Sequence, residues 1–184
     1  MKCHAYSDWP KHAVEELVKI FEWRTFGANT ILASEGYRCP FIGFTVTGVC
    51  HVLRKVDIKV FNQKKKEDVK KMKQVVVGKI NQNQAFGEKS VTMNEQMSCT
   101  IVTETACRLG VIPCDSISEL DNITVRLLLQ TDNGTFGTLT QEDLQKKFIE
   151  QEKKKEWKEY KNSVVSNVLG KYNIVQGFGK HSDC

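Results

Sequence analysis

Apolar residues near the start of the chain recur at the spacing of an α-helix. Val14, Leu17, Val18 and Phe21 follow one another at i, i+3, i+4 and i+7, which places them on one helical face. This pattern predicts a helix over residues 9–22, with that face turned toward a core.

Short runs of β-branched and aromatic residues come next, and residues typical of turns separate them. Runs at 23–26, 30–33 and 41–47 are divided by Gly, Asn, Glu-Gly and Pro positions. Such runs predict short strands joined by tight connections.

The following run, over residues 49–61, alternates in its second half between apolar and charged positions. Val56, Ile58 and Val60 share one face, opposite Lys55, Asp57 and Lys59. Successive side chains of a strand point to opposite faces, so the alternation predicts a half-buried antiparallel strand. The apolar runs at 75–80 and within 100–112 predict further strands.

Seven or eight short strands at this spacing are typical of a β-sandwich or a β-roll. The chain lacks the strand–helix–strand rhythm of a parallel doubly wound sheet, and it contains no internal repeat. The predicted fold class is therefore mainly β, with helices at both ends.

Helical spacing returns after Pro113. A helix is predicted over residues 117–130, with five apolar positions in register: Ile117, Leu120, Ile123, Leu127 and Leu128. The final helix is predicted to open at Thr140, because Thr140 to Asp143 has the form of a capping box, and to stop at Gly170.

Apolar residues in this final helix fall into two groups divided by a polar segment, residues 150–156. The first group is Leu144 and Phe148, and the second is Trp157, Tyr160, Val164 and Val168. This pattern favours a helix packed at both ends and solvated in its middle. A partner-binding coiled coil is the alternative, less favoured because no heptad repeat is sustained.

Composition is that of an ordinary one-domain protein. The chain has 184 residues, of which 40% are hydrophobic and 27% charged. No apolar run approaches the ~18 residues of a membrane span, and the first ten residues have no signal-peptide core. Seven cysteines, an odd number without a Cys-x-x-Cys pair, predict reduced thiols rather than disulfides or a zinc site. We expect a cytoplasmic protein.

The formal net charge of +5 is unevenly spread. Residues 62–74 hold six lysines and two acidic residues and so contribute +4. Low complexity and the lack of aromatic residues favour a solvated loop at the tip of a long hairpin. An anionic partner such as a membrane surface is the alternative.

Residues 86–93 are the segment best suited to bind a ligand. Gly87 permits backbone angles that other residues avoid, and the free N–H groups at the start of a following helix favour anions. The Glu88 carboxylate can accept hydrogen bonds from a sugar hydroxyl. By itself, Phe86-Gly87-Glu88 is a weak signal.

The order of all these elements resembles the cyclic nucleotide-binding domain family, and in particular its poorly characterised cyclic nucleotide-binding domain-containing proteins. The similarity covers roughly residues 15–170. It rests on four segments: TILASEG at 30–36, FIGFTVTGVCHV at 41–52, FGE at 86–88 and MSCTI at 97–101. The resemblance implies an eight-stranded antiparallel, jelly-roll-like β-roll with an N-terminal helix, a short cassette helix and two C-terminal helices.

This resemblance divides the chain into an N-terminal helical segment (1–22), the domain itself (23–170) and a C-terminal tail (171–184). The roll would take 23–112 and the C-terminal helices 115–170. It implies cAMP or cGMP as the candidate ligand, without a further cofactor or metal.

The resemblance also implies a set of candidate ligand-binding residues: Phe86, Gly87, Glu88, Lys89, Ser90, Met97, Ser98 and Cys99. Glu88 would meet the ribose 2′-hydroxyl. Met97 stands where ligand-binding members have an arginine for the cyclic phosphate, and Met offers neither charge nor donor. That loss should weaken binding roughly ten- to a few hundred-fold, at ~1.4 kcal/mol per factor of ten.

Two outcomes remain open on these residues. Nucleotide could bind weakly through backbone N–H groups and Glu88, with Lys89 as a substitute cation. Alternatively, the pocket could be vestigial and filled by Met97 or by another part of the chain. In the family the C-terminal helices swing to cap the base, which makes Trp157 and Tyr160 the aromatic candidates for a cap.

Other classes of function fit less well. His51 is the only strand histidine, so the sheet cannot supply a two-histidine metal site, and no enzyme activity is expected. DNA reading is not expected, since no compact second helix follows a tight turn. The serious alternative is a scaffold module that binds protein partners through the roll, the Lys-rich hairpin and helix 141–169.

Overall fold

The computed structural model describes residues 9–62, 67–130 and 139–171, and these form two antiparallel sheets flanked by helices. The strands are β1 (Glu22–Phe26), β2 (Ile31–Ala33), β3 (Phe41–Thr47), β4 (Cys50–Asn62), β5 (Glu67–Ile80), β6 (Ala85–Phe86), β7 (Thr100–Thr103) and β8 (Cys107–Pro113). The helices are α1 (Lys11–Lys19), α2 (Glu88–Thr92), α3 (Asn122–Gln130) and α4 (Gln141–Lys171), with a 3₁₀ helix at Cys114–Glu119.

The eight strands form two four-stranded sheets, in the orders β1-β8-β3-β6 and β2-β7-β4-β5. Every pairing is antiparallel. Between the sheets lies an apolar interior that includes Leu32, Phe41, Val52, Ile101 and Leu109. The predicted eight-stranded antiparallel β-roll, with helices at both ends and one short helix before β7, is confirmed.

Helix α1 is shorter than predicted and turns a different face to the core. It spans Lys11–Lys19 and buries Ala13 and Leu17, whereas Val18 is 66% exposed. Helices α1 and α3 together cover the outer face of the first sheet. On α1, only the residues spaced at i and i+4, Ala13 and Leu17, are buried there. The prediction that Val14 and Val18 face the core was wrong.

The predicted helix over 117–130 is divided in two. A 3₁₀ helix ends at Glu119, and α3 begins at Asn122. Asp121 causes the break, since its Oδ1 accepts a hydrogen bond of 2.6 Å from the Thr124 backbone N–H, as an N-cap does. The Thr124 hydroxyl in turn donates to Glu16 Oε2 at 2.9 Å, which joins α3 to α1.

The Lys-rich segment, residues 62–74, was predicted to be a loop, but its described residues are all strand. β5 begins at Glu67, and its pairing with β4 runs from Cys50↔Ile80 out to Asn62↔Glu67. Residues 63–66 lie outside the described part of the chain. The apolar positions Val56 and Val75 anchor this ladder, and the strand register continues outward from them through the lysines.

Helix α4 starts as predicted. The Thr140 hydroxyl accepts from the Asp143 N–H at 3.2 Å, and Asp143 Oδ2 accepts from the Thr140 N–H at 3.3 Å, which is a reciprocal capping box. The Thr140 hydroxyl also donates to Asp143 Oδ2 at 2.7 Å, and this bond, with the one from the Thr140 N–H, holds the pKa of the Asp143 carboxyl below its usual value. Gly170 does not end the helix, which continues to Lys171.

Only the first part of α4 packs on the sheet. Leu144 is fully buried and Phe148 partly buried against Val56 and Val75. Gln151 bonds the backbone of Val76 through both its amide atoms, at 2.6 and 3.2 Å. Beyond Gln151 the side chains up to Val168 are exposed. The prediction of a helix packed at both ends was therefore wrong.

Within the described residues, no helix is both long enough and apolar enough to cross a membrane.

Substitution of Leu144 tests directly whether α4 packs on the sheet as described. Leu144→Ala should lower the free energy of unfolding by about 2–5 kcal/mol, because it removes a fully buried side chain. Ile149→Ala on the same helix is the control, and it should cost less than about 1 kcal/mol because Ile149 is exposed. Urea denaturation measures both, and equal losses would contradict the packing described.

Candidate functional site

The segment between β6 and β7 has the form predicted for a binding cassette. β6 ends at Phe86, Gly87 turns the chain, and α2 follows over Glu88–Thr92. An irregular stretch then leads to β7, which begins at Thr100. The eight candidate cassette residues therefore lie on one short strand, the turn at Gly87, one helix and the irregular stretch after it.

Gly87 is required by both its conformation and its surroundings. Its φ of +89° lies in the left-handed region, and a Cβ there would be 2.9 Å from the Phe41 carbonyl oxygen. Its neighbour Phe86 is buried, with its ring seated where a side chain at Gly43 would otherwise stand. Phe86 thus anchors the start of the cassette to the roll interior.

Ser90 ties α2 to two other parts of the chain. Its buried hydroxyl accepts from the Cys39 backbone N–H at 2.9 Å and donates to the Glu95 carbonyl at 2.6 Å. One side chain therefore holds the loop before β3, the cassette helix and the turn after that helix. Both hydroxyl functions are satisfied within the protein.

Met97 is held by the same loop. Its backbone N–H donates to the Tyr37 carbonyl at 2.8 Å, and its carbonyl accepts from the Gly36 N–H at 2.9 Å. Its side chain is partly buried and packs against the apolar interior of the roll. The thioether at this position therefore makes a core contact, whereas an arginine there would bring a charge.

Glu88 is buried deeply, with 3% of its surface exposed. The carboxylate lies near Cys39, whose Sγ donates to the Phe41 carbonyl at 3.1 Å. Burial raises the pKa of the Cys39 thiol to about 11, and the negative charge of Glu88 adds to that increase. Cys39 is therefore a neutral thiol near pH 7, and Glu88 presents almost none of its surface to solvent.

The remaining cassette residues divide between surface and core. Lys89 and Ser98 are exposed, while Cys99 is buried in the roll interior. The two aromatic residues predicted for a base cap lie on the exposed part of α4, where Trp157 is 58% and Tyr160 61% exposed. Their rings stack on each other at 5.6 Å between centroids.

Sequence reasoning missed the loop that supports the cassette, residues 34–39. Glu35 Oε2 accepts from the Lys55 N–H at 2.7 Å, and the Glu35 N–H donates to Thr100 Oγ1 at 2.9 Å. Glu35 therefore joins the loop to β4 and β7. The Glu-Gly turn was visible in the sequence, but its partners are at least 20 residues away along the chain.

Across residues 9–62, 67–130 and 139–171, no three His, Cys, Asp or Glu side chains gather as a metal site would require. His51 instead lies 3.2 Å from Glu104 Oε2, and Lys79 Nζ lies 2.6 Å from the same oxygen. This partly exposed group joins β4, β5 and the turn after β7.

Comparison with known sequences gives one match of note. No family model matches the chain. It is 28% identical over 112 residues to cyclic nucleotide-binding domain-containing protein 1 of Homo sapiens, a match that covers 60% of this chain. The match spans 25% of that protein's length.

Solved structures with the same fold include two protein kinase A regulatory chains. The regulatory domain of Toxoplasma gondii PKA, solved with cAMP, aligns at a TM-score of 0.51 and 12% identity, over 70% of this chain and 44% of that one. The regulatory subunit of a cAMP-independent protein kinase A from Trypanosoma brucei aligns at 0.54 and 10%, over 74% and 46%. The chain has the fold of cyclic nucleotide-binding domains, and the resemblance seen in its motifs is confirmed.

Hydrogen bonds from Ser90 are open to a direct test. Ser90→Ala should cost about 1–3 kcal/mol of unfolding free energy, because the Cys39 N–H and the Glu95 carbonyl lose the same partner. Ser98→Ala changes the same group at an exposed position and should stay within about 0.5 kcal/mol of the parent. Chemical denaturation distinguishes the two, and an unchanged Ser90→Ala protein would refute the role given to this hydroxyl.

Proposed function

We propose that this chain is a regulatory module of the cyclic nucleotide-binding fold whose cassette is closed by the protein's own contacts. It binds cAMP and cGMP weakly or not at all. The observation that carries the proposal is Met97, which packs against the roll interior at the position that the resemblance gives to the phosphate-binding arginine.

Charge is the first support for this proposal. A cyclic phosphate needs a partner that repays the loss of its hydration, and an arginine fork supplies two charge-assisted hydrogen bonds. Met97 supplies none, and Lys89 is exposed on the surface of α2.

The second support is the set of bonds that hold the cassette. Ser90 and the backbone of Met97 make three hydrogen bonds to residues 36–39, and Ser90 makes a fourth to Glu95 within the cassette, so the cassette is held in place without a ligand. A ligand shifts an equilibrium only by its difference in affinity between two states. A cassette that is already held closed leaves cAMP little conformational change to drive.

Related folds differ in their dependence on cAMP. The Toxoplasma gondii domain was solved with cAMP, whereas the Trypanosoma brucei subunit belongs to a cAMP-independent kinase. The fold is thus compatible with either behaviour, so the residues of the cassette determine whether cAMP acts on a given protein.

A scaffold role is the second candidate, and α4 supports it. Between Trp157 and Val168 the helix exposes large apolar side chains: Trp157, Tyr160, Val164, Val165 and Val168 are each 41–61% exposed. Exposed apolar patches often mark contacts with other proteins. In this role the roll would be a rigid support for the helix, whether or not a nucleotide binds.

Restoring the cation tests the proposal. Calorimetric titration of the parent chain with cAMP and with cGMP should show no binding at micromolar concentrations. Met97→Arg should raise the affinity for the cyclic phosphate roughly tenfold or more, since a charge-assisted hydrogen bond contributes about 1.5–3 kcal/mol.

Met93→Arg is the matched control, because it adds the same charge at an exposed position of the same cassette. It should leave affinity unchanged. Micromolar binding by the parent chain would overturn the proposal. Equal effects of the two arginine variants would show that residue 97 does not face the phosphate position.

A further inference from the structure

The longest hairpin of the fold extends beyond the rest of its sheet. β4 and β5 remain paired from Cys50↔Ile80 out to Asn62↔Glu67. β7 pairs with β4 only as far as Leu53↔Thr100. From Arg54 outward, the described residues of this hairpin therefore form a two-stranded ribbon, supported on one side by α4.

Lysines occupy both faces of this ribbon. Lys59 lies directly opposite Lys70 on one face, while Lys71 and Lys73 lie opposite Ile58 and Val56 on the other. All four lysines are exposed. Within the described residues 54–59 and 70–74, Asp57 is the only acidic side chain.

The charge of the whole chain is concentrated here. Residues 55–74 contain eight of the 27 basic and three of the 22 acidic residues. The rest of the chain therefore contains 19 of each and is neutral, so the +5 belongs to the hairpin.

This arrangement opposes the stability of the hairpin itself. Like charges directly opposite in a sheet repel, and a two-stranded ribbon alone is marginally stable in water. The fold supports the ribbon through Leu144 on the Val56 face, and the Lys59–Lys70 pair is turned to solvent. A polyanionic surface would relieve this repulsion.

We infer that the β4–β5 ribbon docks on the surface of an anionic lipid bilayer, with Lys59 and Lys70 among the headgroups. Clusters of four to eight lysines near a membrane bind acidic lipids with about 1 kcal/mol per residue. The described ribbon exposes lysines rather than arginine forks, which suits a diffuse surface of charge better than base recognition. Met72, 66% exposed, adds an apolar side chain suited to the interface.

Flotation with vesicles tests this inference. The chain should bind vesicles of phosphatidylcholine mixed with phosphatidylserine and not vesicles of phosphatidylcholine alone. Binding should fall as salt increases, because the attraction is screened over a Debye length of roughly 8–10 Å.

Charge reversal locates the surface. Lys59→Glu with Lys70→Glu should lower vesicle affinity tenfold or more, at ~1 kcal/mol for each lysine lost and further repulsion from each glutamate. Lys11→Glu with Lys19→Glu makes the same change of net charge on α1 and should have much less effect. Lys59→Glu alone should fold at least as well as the parent, since it places a carboxylate opposite Lys70, and should also weaken binding.

Three results would overturn the inference. Equal binding to vesicles with and without phosphatidylserine would exclude electrostatic docking. Equal losses in the α1 and hairpin variants would show a response to net charge only. Tighter binding to duplex DNA than to vesicles, at matched phosphate concentration, would show that the ribbon binds nucleic acid instead.

Discussion

The interaction on which the candidate site depends is the bonding of the cassette to the loop before β3. The Ser90 hydroxyl lies between the Cys39 N–H and the Glu95 carbonyl, and the Met97 backbone pairs with Gly36 and Tyr37. Buried polar groups are costly unless they are paired, and here each partner lies within the protein. The loop is itself fixed through Glu35 to β4 and β7, two neighbouring strands of the second sheet.

Cyclic nucleotide recognition asks two things of such a cassette. A cation must meet the phosphate for tight binding, and the cassette must differ between the free and bound states if the ligand is to switch the protein. Met97 and the Ser90 bonds oppose both requirements, while the buried Glu88 retains an acceptor suited to a sugar hydroxyl. The fold is that of the nucleotide-binding domains, and the proposed loss of affinity follows from a few side chains within it.

Local patterns were predictable, and long-range ones were not. The capping box of Thr140 and Asp143 involves residues three apart, so the sequence alone located the start of α4. The Ser90–Cys39 bond joins residues 51 apart, and no local pattern signals it. The Lys-rich composition of residues 70–73 suggested a loop, yet these residues continue the β4–β5 pairing, which is anchored by the buried Val56 and Val75. The exposed half of α4 was assigned to a core because its apolar spacing alone does not show what it packs on.

Hydrogen–deuterium exchange, with and without saturating cAMP, distinguishes a cassette held closed by the protein from one that the ligand closes. Amides between residues 86 and 99 should exchange slowly in the free protein, and cAMP should leave their rates unchanged. Fast exchange in the free protein that becomes slow on addition of cAMP would contradict this expectation, because the ligand would then be closing the cassette.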